Sequence, residues 1–208
     1  GHSVYITTGE NYSQAASVAV LAAAQDSPVL LLPSKGSIPE SVIAYLNRAA
    51  NEKNLSIQLI GNETVLPERM VDELKAKVKA LDPGNISRLT GNDLYSLMAK
   101  ANAHAWISQQ DSIQQENGRS AKEAIDYILL ASGKTYVDSI PGAVLAARVK
   151  APLIFIEEAI PQPSVQVLTE IYNFNRQKEI PLLRMTVLGG VAAISPQVVA
   201  EVDSLYSL

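Results

Sequence analysis

One half of the sequence repeats the other, and this repeat constrains the fold more than any single motif. Segment 7–32, TTGENYSQAASVAVLAAAQDSPVLLL, aligns without a gap with segment 131–156, ASGKTYVDSIPGAVLAARVKAPLIFI. Gly9 then aligns with Gly133 and Pro28 with Pro152, at a constant offset of 124 residues. LIGNETVLP (59–67) likewise aligns with VLGGVAAISP (187–196) after small insertions. The repeat predicts two copies of one folding unit.

Each copy alternates short apolar runs with helix-like segments. Brief runs rich in Val, Ile and Leu, bounded by Gly or Pro, predict strands at 4–8, 28–33, 56–61, 127–131, 152–156 and 185–189. Apolar residues at helical spacing predict helices at 12–25, 39–53, 67–81, 138–149, 163–176 and 196–205. This alternation is typical of the α/β class, with a small, mostly parallel sheet flanked by helices in each copy.

The boundary between the copies is predicted at the turn formed by Asp82, Pro83 and Gly84, because Pro and Gly interrupt regular structure. The predicted domains are therefore 1–84 and 85–208. After the boundary, Asn92 or Asp93 could cap a helix that continues to about Trp106. The Gln-rich segment 108–120 has no periodicity and is predicted to be an exposed loop.

Composition excludes several classes of site. The 208 residues carry 17 basic and 21 acidic side chains, which argues against general nucleic-acid binding. The chain has no Cys, so disulfides and thiolate metal sites are excluded, and no apolar run approaches the roughly 20 residues of a membrane span. No signal peptide is visible, and the opening GHS is interpreted as an expression remnant.

The SGKT at 132–135 imitates the end of a phosphate-binding loop. The first Gly of G-x-x-x-x-G-K-[ST] would fall on Ile128, so no P-loop is present. Gly9 and Gly133 each stand between a strand and a helix, where free N–H groups attract anions. The alternative is that Gly simply permits a tight turn. Asp138 is predicted to cap the following helix, with Pro141 in its first turn.

Four motifs in order resemble the type 2 cell-wall-binding repeat of Gram-positive surface and S-layer proteins. They are RLTGNDLY (88–95), ASGKTYVDSI (131–140), APLI (151–154) and VLGGVAAIS (187–195). The second copy carries all four, while the first is expected to be N-terminally incomplete because it lacks the Arg-Gly segment. The resemblance implies tandem Rossmann-like or Toprim-like units that pack around a pseudo-threefold axis, a ring that two copies would leave incomplete.

The resemblance also implies a function: non-covalent anchoring of an extracellular surface protein to an anionic polymer of the wall, weakened by salt. The expected partners are this polymer and other copies of the repeat, without nucleic acid or membrane insertion. The candidate ligand-binding residues are Arg88, Gly91, Gly133, Lys134 and Gly9. Arg88 could clasp phosphate or carboxylate bidentately, or could instead tie one module to the next.

No catalytic residue, metal ligand or cofactor is predicted. The sequence lacks G-x-G-x-x-G, a P-loop and a nucleophile paired with a base, and His104 is interpreted as a packing residue. Two alternatives to the wall anchor stay open. One is a Rossmann-like enzyme acting on a nucleotide or sugar phosphate, and the other is a self-assembly module of a surface layer.

Overall fold

A computed structural model describes residues 2–205 of the chain except 11, 53, 108–124, 135, 178 and 180–183. The predicted loop at 108–120 therefore lies outside the described residues. Two parallel sheets are present, each covered by helices. The expected α/β class is confirmed, because strands and helices follow each other at the predicted places in both copies.

The first sheet has the strand order β2-β1-β3-β4 and is parallel throughout. Its elements, in chain order, are β1 (His2–Thr8), α1 (Tyr12–Ala24), β2 (Val29–Leu32), α2 (Glu40–Glu52), β3 (Leu55–Ile60), α3 (Glu68–Lys77) and β4 (Ile86–Leu89). The first core packs α2 and α3 against this sheet, with Leu46, Ile57 and Leu74 fully buried.

The second sheet has the order β6-β5-β7 and is also parallel. The remaining elements are α4 (Leu94–Asn102), β5 (Tyr127–Ser132), α5 (Tyr136–Val149), β6 (Leu153–Ile156), α6 (Gln162–Gln177), β7 (Arg184–Leu188) and α7 (Pro196–Ser204). A π-helical turn, Ala103–Ile107, extends α4. The side chain of Asp93 caps α4 by accepting from the N–H of Ser96 at 2.7 Å, as one of the two predicted caps.

Strand β4 was not among the predicted strands, and it crosses between the two units. It follows residue 84 in sequence but pairs with β3 of the first sheet, with Ile86 opposite Ile57 and Leu89 opposite Ile60. The next element, α4, packs against β6 and α6 of the second unit. Segment 86–102 thus connects the two units physically, and the domain boundary at residue 84 stays a prediction.

A core shared by both units lies between α1, α4 and α5. It includes Tyr5 and Leu21 from the first unit and Leu129 and Phe155 from the second, all at most 1% exposed. The Ala-rich faces of α1 and α5 let the two helices pack closely, since Ala adds little bulk between backbones. Burial of this apolar surface holds the two copies together.

Two helix ends differ from the predictions. Helix α5 begins at Tyr136, so Asp138 lies inside its first turn rather than at its cap, and the exposed Pro141 stands within the helix. Helix α3 ends at Lys77 because Val78 adopts an extended conformation, with φ −96° and ψ 90°. Apolar spacing continues past that point, since Val78 and Leu81 are still buried, and this is why the sequence overestimates the helix.

Candidate functional site

Arg88 lies on β4 and holds this strand to its neighbours. Its Nη1 donates to the carbonyl oxygen of Gly61 at 3.0 Å, and its Nη2 donates to the Glu68 carboxylate at 3.0 Å. The side chain is only 18% exposed. Gly61 has a φ of +125°, a conformation that favours glycine. The guanidinium of Arg88 therefore ties β4 to the end of β3 and to α3.

A cleft of about 210 Å³ opens beside Arg88, between α3 and β4. Its polar lining comes from Glu68, Lys75, Ser87 and Arg88. Lys75 and Ser87 are exposed, and within the described part of the chain Lys75 forms no ion pair. Two cations and one carboxylate give the cleft a net positive charge, which suits a small anionic group.

Gly91 lies in the tight connection between β4 and α4, and its role there is packing. A Cβ at this position would lie 2.3 Å from the backbone nitrogen of Leu97 and 2.6 Å from its Cα. Backbone atoms cannot yield to such an overlap as a side chain would. The same connection is held by Lys100, whose Nζ donates to the carbonyl of Thr90 at 2.8 Å.

Gly133 follows β5 and is buried against Tyr95 of α4. A Cβ there would lie 2.5 Å from Cε1 of Tyr95. The N–H of Gly133 donates to the carbonyl of Ile156 at 3.1 Å, so this donor already has an acceptor within the protein. The Tyr95 hydroxyl donates to the carboxylate of Glu157, which follows β6. The turn thus serves as a docking point for α4.

Lys134 is exposed beside Gly133, but its ammonium group is already paired with a carboxylate. Its Nζ donates to Glu158 at 2.9 Å. This hydrogen bond raises the pKa of Lys134 and lowers the pKa of Glu158. With Glu157 adjacent in sequence, two carboxylates lie close to this lysine, and they oppose the approach of a polyanion.

Gly9 follows β1 in the first unit and is exposed. A Cβ there would meet Cδ1 of Leu31 at 3.7 Å, an ordinary contact, so close packing does not require glycine at this position. Next to it, Glu10 accepts a hydrogen bond from the Ser34 hydroxyl at 2.5 Å. The five predicted residues are therefore spread over several places: Arg88 at the cleft, Gly91 at the start of α4, Gly133 and Lys134 after β5, and Gly9 after β1.

Asn102 is a buried polar residue that sequence reasoning missed. It is 1% exposed at the end of α4, and its side-chain amide bonds the backbone of Leu153 on β6. No motif in the sequence marks it. In the part of the chain that the structure describes, no group of three or more His, Asp or Glu side chains could hold a metal ion. Over the same residues, no helix combines the length and apolar character that crossing a bilayer demands.

Comparison with protein families gives a match. The model of the cell wall binding domain 2 family matches residues 88–199, which is more than half of the chain. The chain therefore belongs to this family. It is an extracellular, cell-wall-associated module of a surface protein, as the motif resemblance predicted.

Two solved structures share the fold. Cwp6 from Clostridium difficile superposes with a TM-score of 0.72 at 20% identity over 99% of this chain. Cwp8 from Clostridium difficile gives 0.70 at 15% identity over 98%. This chain spans only 28% and 29% of those two chains. No curated protein matches it.

Proposed function

We propose that this module binds an anionic secondary polymer of the cell wall non-covalently and without turnover. The observation that carries the proposal is the family match over residues 88–199. The chain has a net charge of −4, so overall electrostatic attraction cannot drive the binding of an anion. We propose that a local cationic site supplies the attraction.

The cleft beside Arg88 is the candidate contact site for this polymer. Arg88 already donates to Gly61 and Glu68, so the exposed ammonium of Lys75 and the hydroxyl of Ser87 are the groups free to meet a phosphate or carboxylate. Arg88 then contributes charge and holds one wall of the cleft. The Lys134 region is the weaker contact, because Glu157 and Glu158 flank it.

A sedimentation assay on isolated wall sacculi tests the proposal. We expect binding to native sacculi, loss of binding after the secondary polymer is stripped, and weakening as salt rises. Lys75→Glu should lower the bound fraction, whereas Arg176→Glu, an exposed charge reversal on α6, should leave it unchanged. Equal binding to native and stripped sacculi would contradict the proposal that the module binds the secondary polymer. If both variants lose the same fraction of binding, the cleft is not the contact site for the polymer.

A further inference from the structure

Glu68 places a carboxylate of the protein itself in the cleft beside Arg88. This carboxylate accepts from Nη2 of Arg88 at 3.0 Å, and Glu68 lines the cleft together with Lys75 and Ser87. An anionic ligand that enters the cleft therefore meets a carboxylate already bound to one of the two cations. The ligand has to bind against the repulsion of Glu68 or take its place.

The two hydrogen bonds of Arg88 differ in how easily their acceptors can be exchanged. Nη1 donates to the backbone carbonyl of Gly61, a buried residue whose own N–H donates to the carbonyl of Leu89 at 2.9 Å. Nη2 donates to a side chain that is 55% exposed, whereas Arg88 is 18% exposed. Glu68 can thus turn into water while Gly61 keeps the guanidinium in position. Nη2 is the donor that a ligand can gain.

The position of Glu68 at the start of α3 lowers the cost of this exchange. Glu68 is the first residue of the helix, and the preceding Pro67 provides no side-chain cap. The partial positive charge of the helix N-terminus attracts the carboxylate whether or not it is bound to Arg88. An ion pair with such an exposed partner is weak in water. A contact between the ligand and Lys75 can therefore offset its loss.

The aligned position in the second copy carries a neutral side chain of the same shape. Pro67 aligns with Pro196, so Glu68 aligns with Gln197, which is exposed in the first turn of α7. The first turn of this helix thus accommodates glutamine within the same repeat. Glu68→Gln keeps the length of the side chain and removes its negative charge, so it tests the charge alone.

We propose that Glu68 is a specificity-determining residue of the cleft, because an anionic ligand has to displace it from Nη2 of Arg88. This inference rests on the proposed function, in which the cleft is the anion site. Glu68 is attached to the cleft wall, so its carboxylate has a high effective concentration and a single weak anion competes poorly with it. A ligand that contacts Lys75 at the same time competes better. The cleft thereby favours a chain of closely spaced anionic groups over small anions.

A titration with inorganic phosphate tests the exchange. The isotope-labelled full chain is titrated at constant pH and ionic strength, and the side-chain resonances of Arg88 and Glu68 are followed. We expect phosphate to shift the Nε–H resonance of Arg88 and to move the carboxyl carbon of Glu68 toward the value of an exposed glutamate. Glu68→Gln should bind phosphate about two- to fivefold more tightly, because no carboxylate has to be displaced.

Glu63→Gln is the matched control for the change in charge. It removes one carboxylate from an exposed position outside the cleft, and the affinity for phosphate should stay the same. Equal gains in the two variants, an unchanged affinity of Glu68→Gln, or a Glu68 carboxyl resonance that stays fixed at saturation would each overturn the proposal. The absence of phosphate-dependent shifts in both the parent and Glu68→Gln would overturn it as well.

The sedimentation assay on sacculi separates this proposal from the anchoring function. Tighter phosphate binding by Glu68→Gln, together with equal binding of the parent to native and stripped sacculi, would support the exchange and contradict anchoring. Sedimentation that depends on the secondary polymer, together with an unchanged phosphate affinity of Glu68→Gln, would support anchoring and contradict the exchange.

Discussion

The side-chain amide of Asn102 hydrogen-bonds both backbone groups of Leu153, as a neighbouring strand would. Its Nδ2 donates to the Leu153 carbonyl at 2.7 Å, and its Oδ1 accepts from the Leu153 N–H at 3.2 Å. Leu153 opens β6, the edge strand of the second sheet as described. The same Nδ2 donates to the Met98 carbonyl at 2.9 Å within α4. Helix α4 thus closes a sheet edge with one buried amide.

Removing this amide should be costly. Asn102→Ala leaves the N–H and C=O of Leu153 buried without partners, and we expect the free energy of unfolding to fall by about 2–4 kcal/mol. Urea denaturation followed by circular dichroism measures the change. Asn51→Ala, at an exposed position near the end of α2, serves as the control and should stay within about 0.5 kcal/mol of the parent. A loss no larger than that of the control would contradict the edge-closing role.

Gly91 should tolerate no side chain. Gly91→Ala places a methyl group 2.3 Å from the Leu97 nitrogen, so α4 or its connection must move. We expect a loss of about 3 kcal/mol in unfolding free energy, at the upper end of the usual cost of overpacking. Gly190→Ala is the matched control, since nothing lies within 4 Å of its added Cβ. Similar melting temperatures for the two variants would refute the packing role of Gly91.

The fully buried Tyr5 carries a hydroxyl without a hydrogen-bond partner among the described residues. Tyr5→Phe removes this desolvated group, and we expect the free energy of unfolding to rise by about 1 kcal/mol. Burial also raises the pKa of Tyr5 from 10.0 to about 12. Above pH 10 the unfolded chain ionises first, so the parent should lose stability between pH 10 and 12 and the variant should lose less. A destabilised Tyr5→Phe would contradict this account.

The Arg88–Glu68 ion pair should contribute modestly. Both side chains are partly exposed, at 18% and 55%, so water weakens their attraction. In a double-mutant cycle of Arg88→Ala and Glu68→Gln, we expect a coupling of about 0.5–1 kcal/mol. Arg88→Ala alone should cost more, because the hydrogen bond to Gly61 is also lost. Equal single-mutant effects would indicate that the Gly61 contact adds nothing.

His104 should make stability depend on pH near neutrality. Burial lowers its pKa below the ordinary value of 6.5. The unfolded chain therefore binds a proton more readily, and stability should decline as pH falls through 6.5. Urea titrations at pH 7.5 and 5.5 should show a smaller decline for His104→Gln than for the parent. Carboxylates such as Glu158, whose pKa lies below 4.5, contribute only at lower pH. Parallel pH profiles of the two proteins would exclude His104 as the cause.

Local patterns predicted most helices and strands, because apolar periodicity and the interruption of regular structure by Gly and Pro can be read within a few residues. Both copies of the repeat gave strands and helices that the structure confirms, with ends shifted by a few residues at α3 and α5. The missed strand β4 is a run of only four residues, ISRL, and no aligned counterpart in the other copy marks it. Its strand character depends on pairing with β3, and that information lies outside the segment itself.

Motif resemblance drew attention to Arg88 and Gly133, but the contacts of each come from distant elements. Arg88 bonds Gly61 and Glu68, which lie 27 and 20 residues away, and the ring beside Gly133 belongs to Tyr95. Asn102 reaches across 51 residues to Leu153. Such contacts cannot be predicted from composition and residue spacing, since each depends on how two elements pack.

From the sequence alone come the duplicated α/β unit, its parallel strands and its membership of a wall-binding family. These follow from apolar periodicity, glycine and proline turns and ordered motifs, which are local properties of the chain. Only the tertiary structure decided that β4 joins the first sheet, that α4 and Asn102 close the second, and that Lys134 is paired with Glu158. Those outcomes rest on hydrogen bonds and ion pairs between elements that are separate in sequence, and local patterns do not specify them.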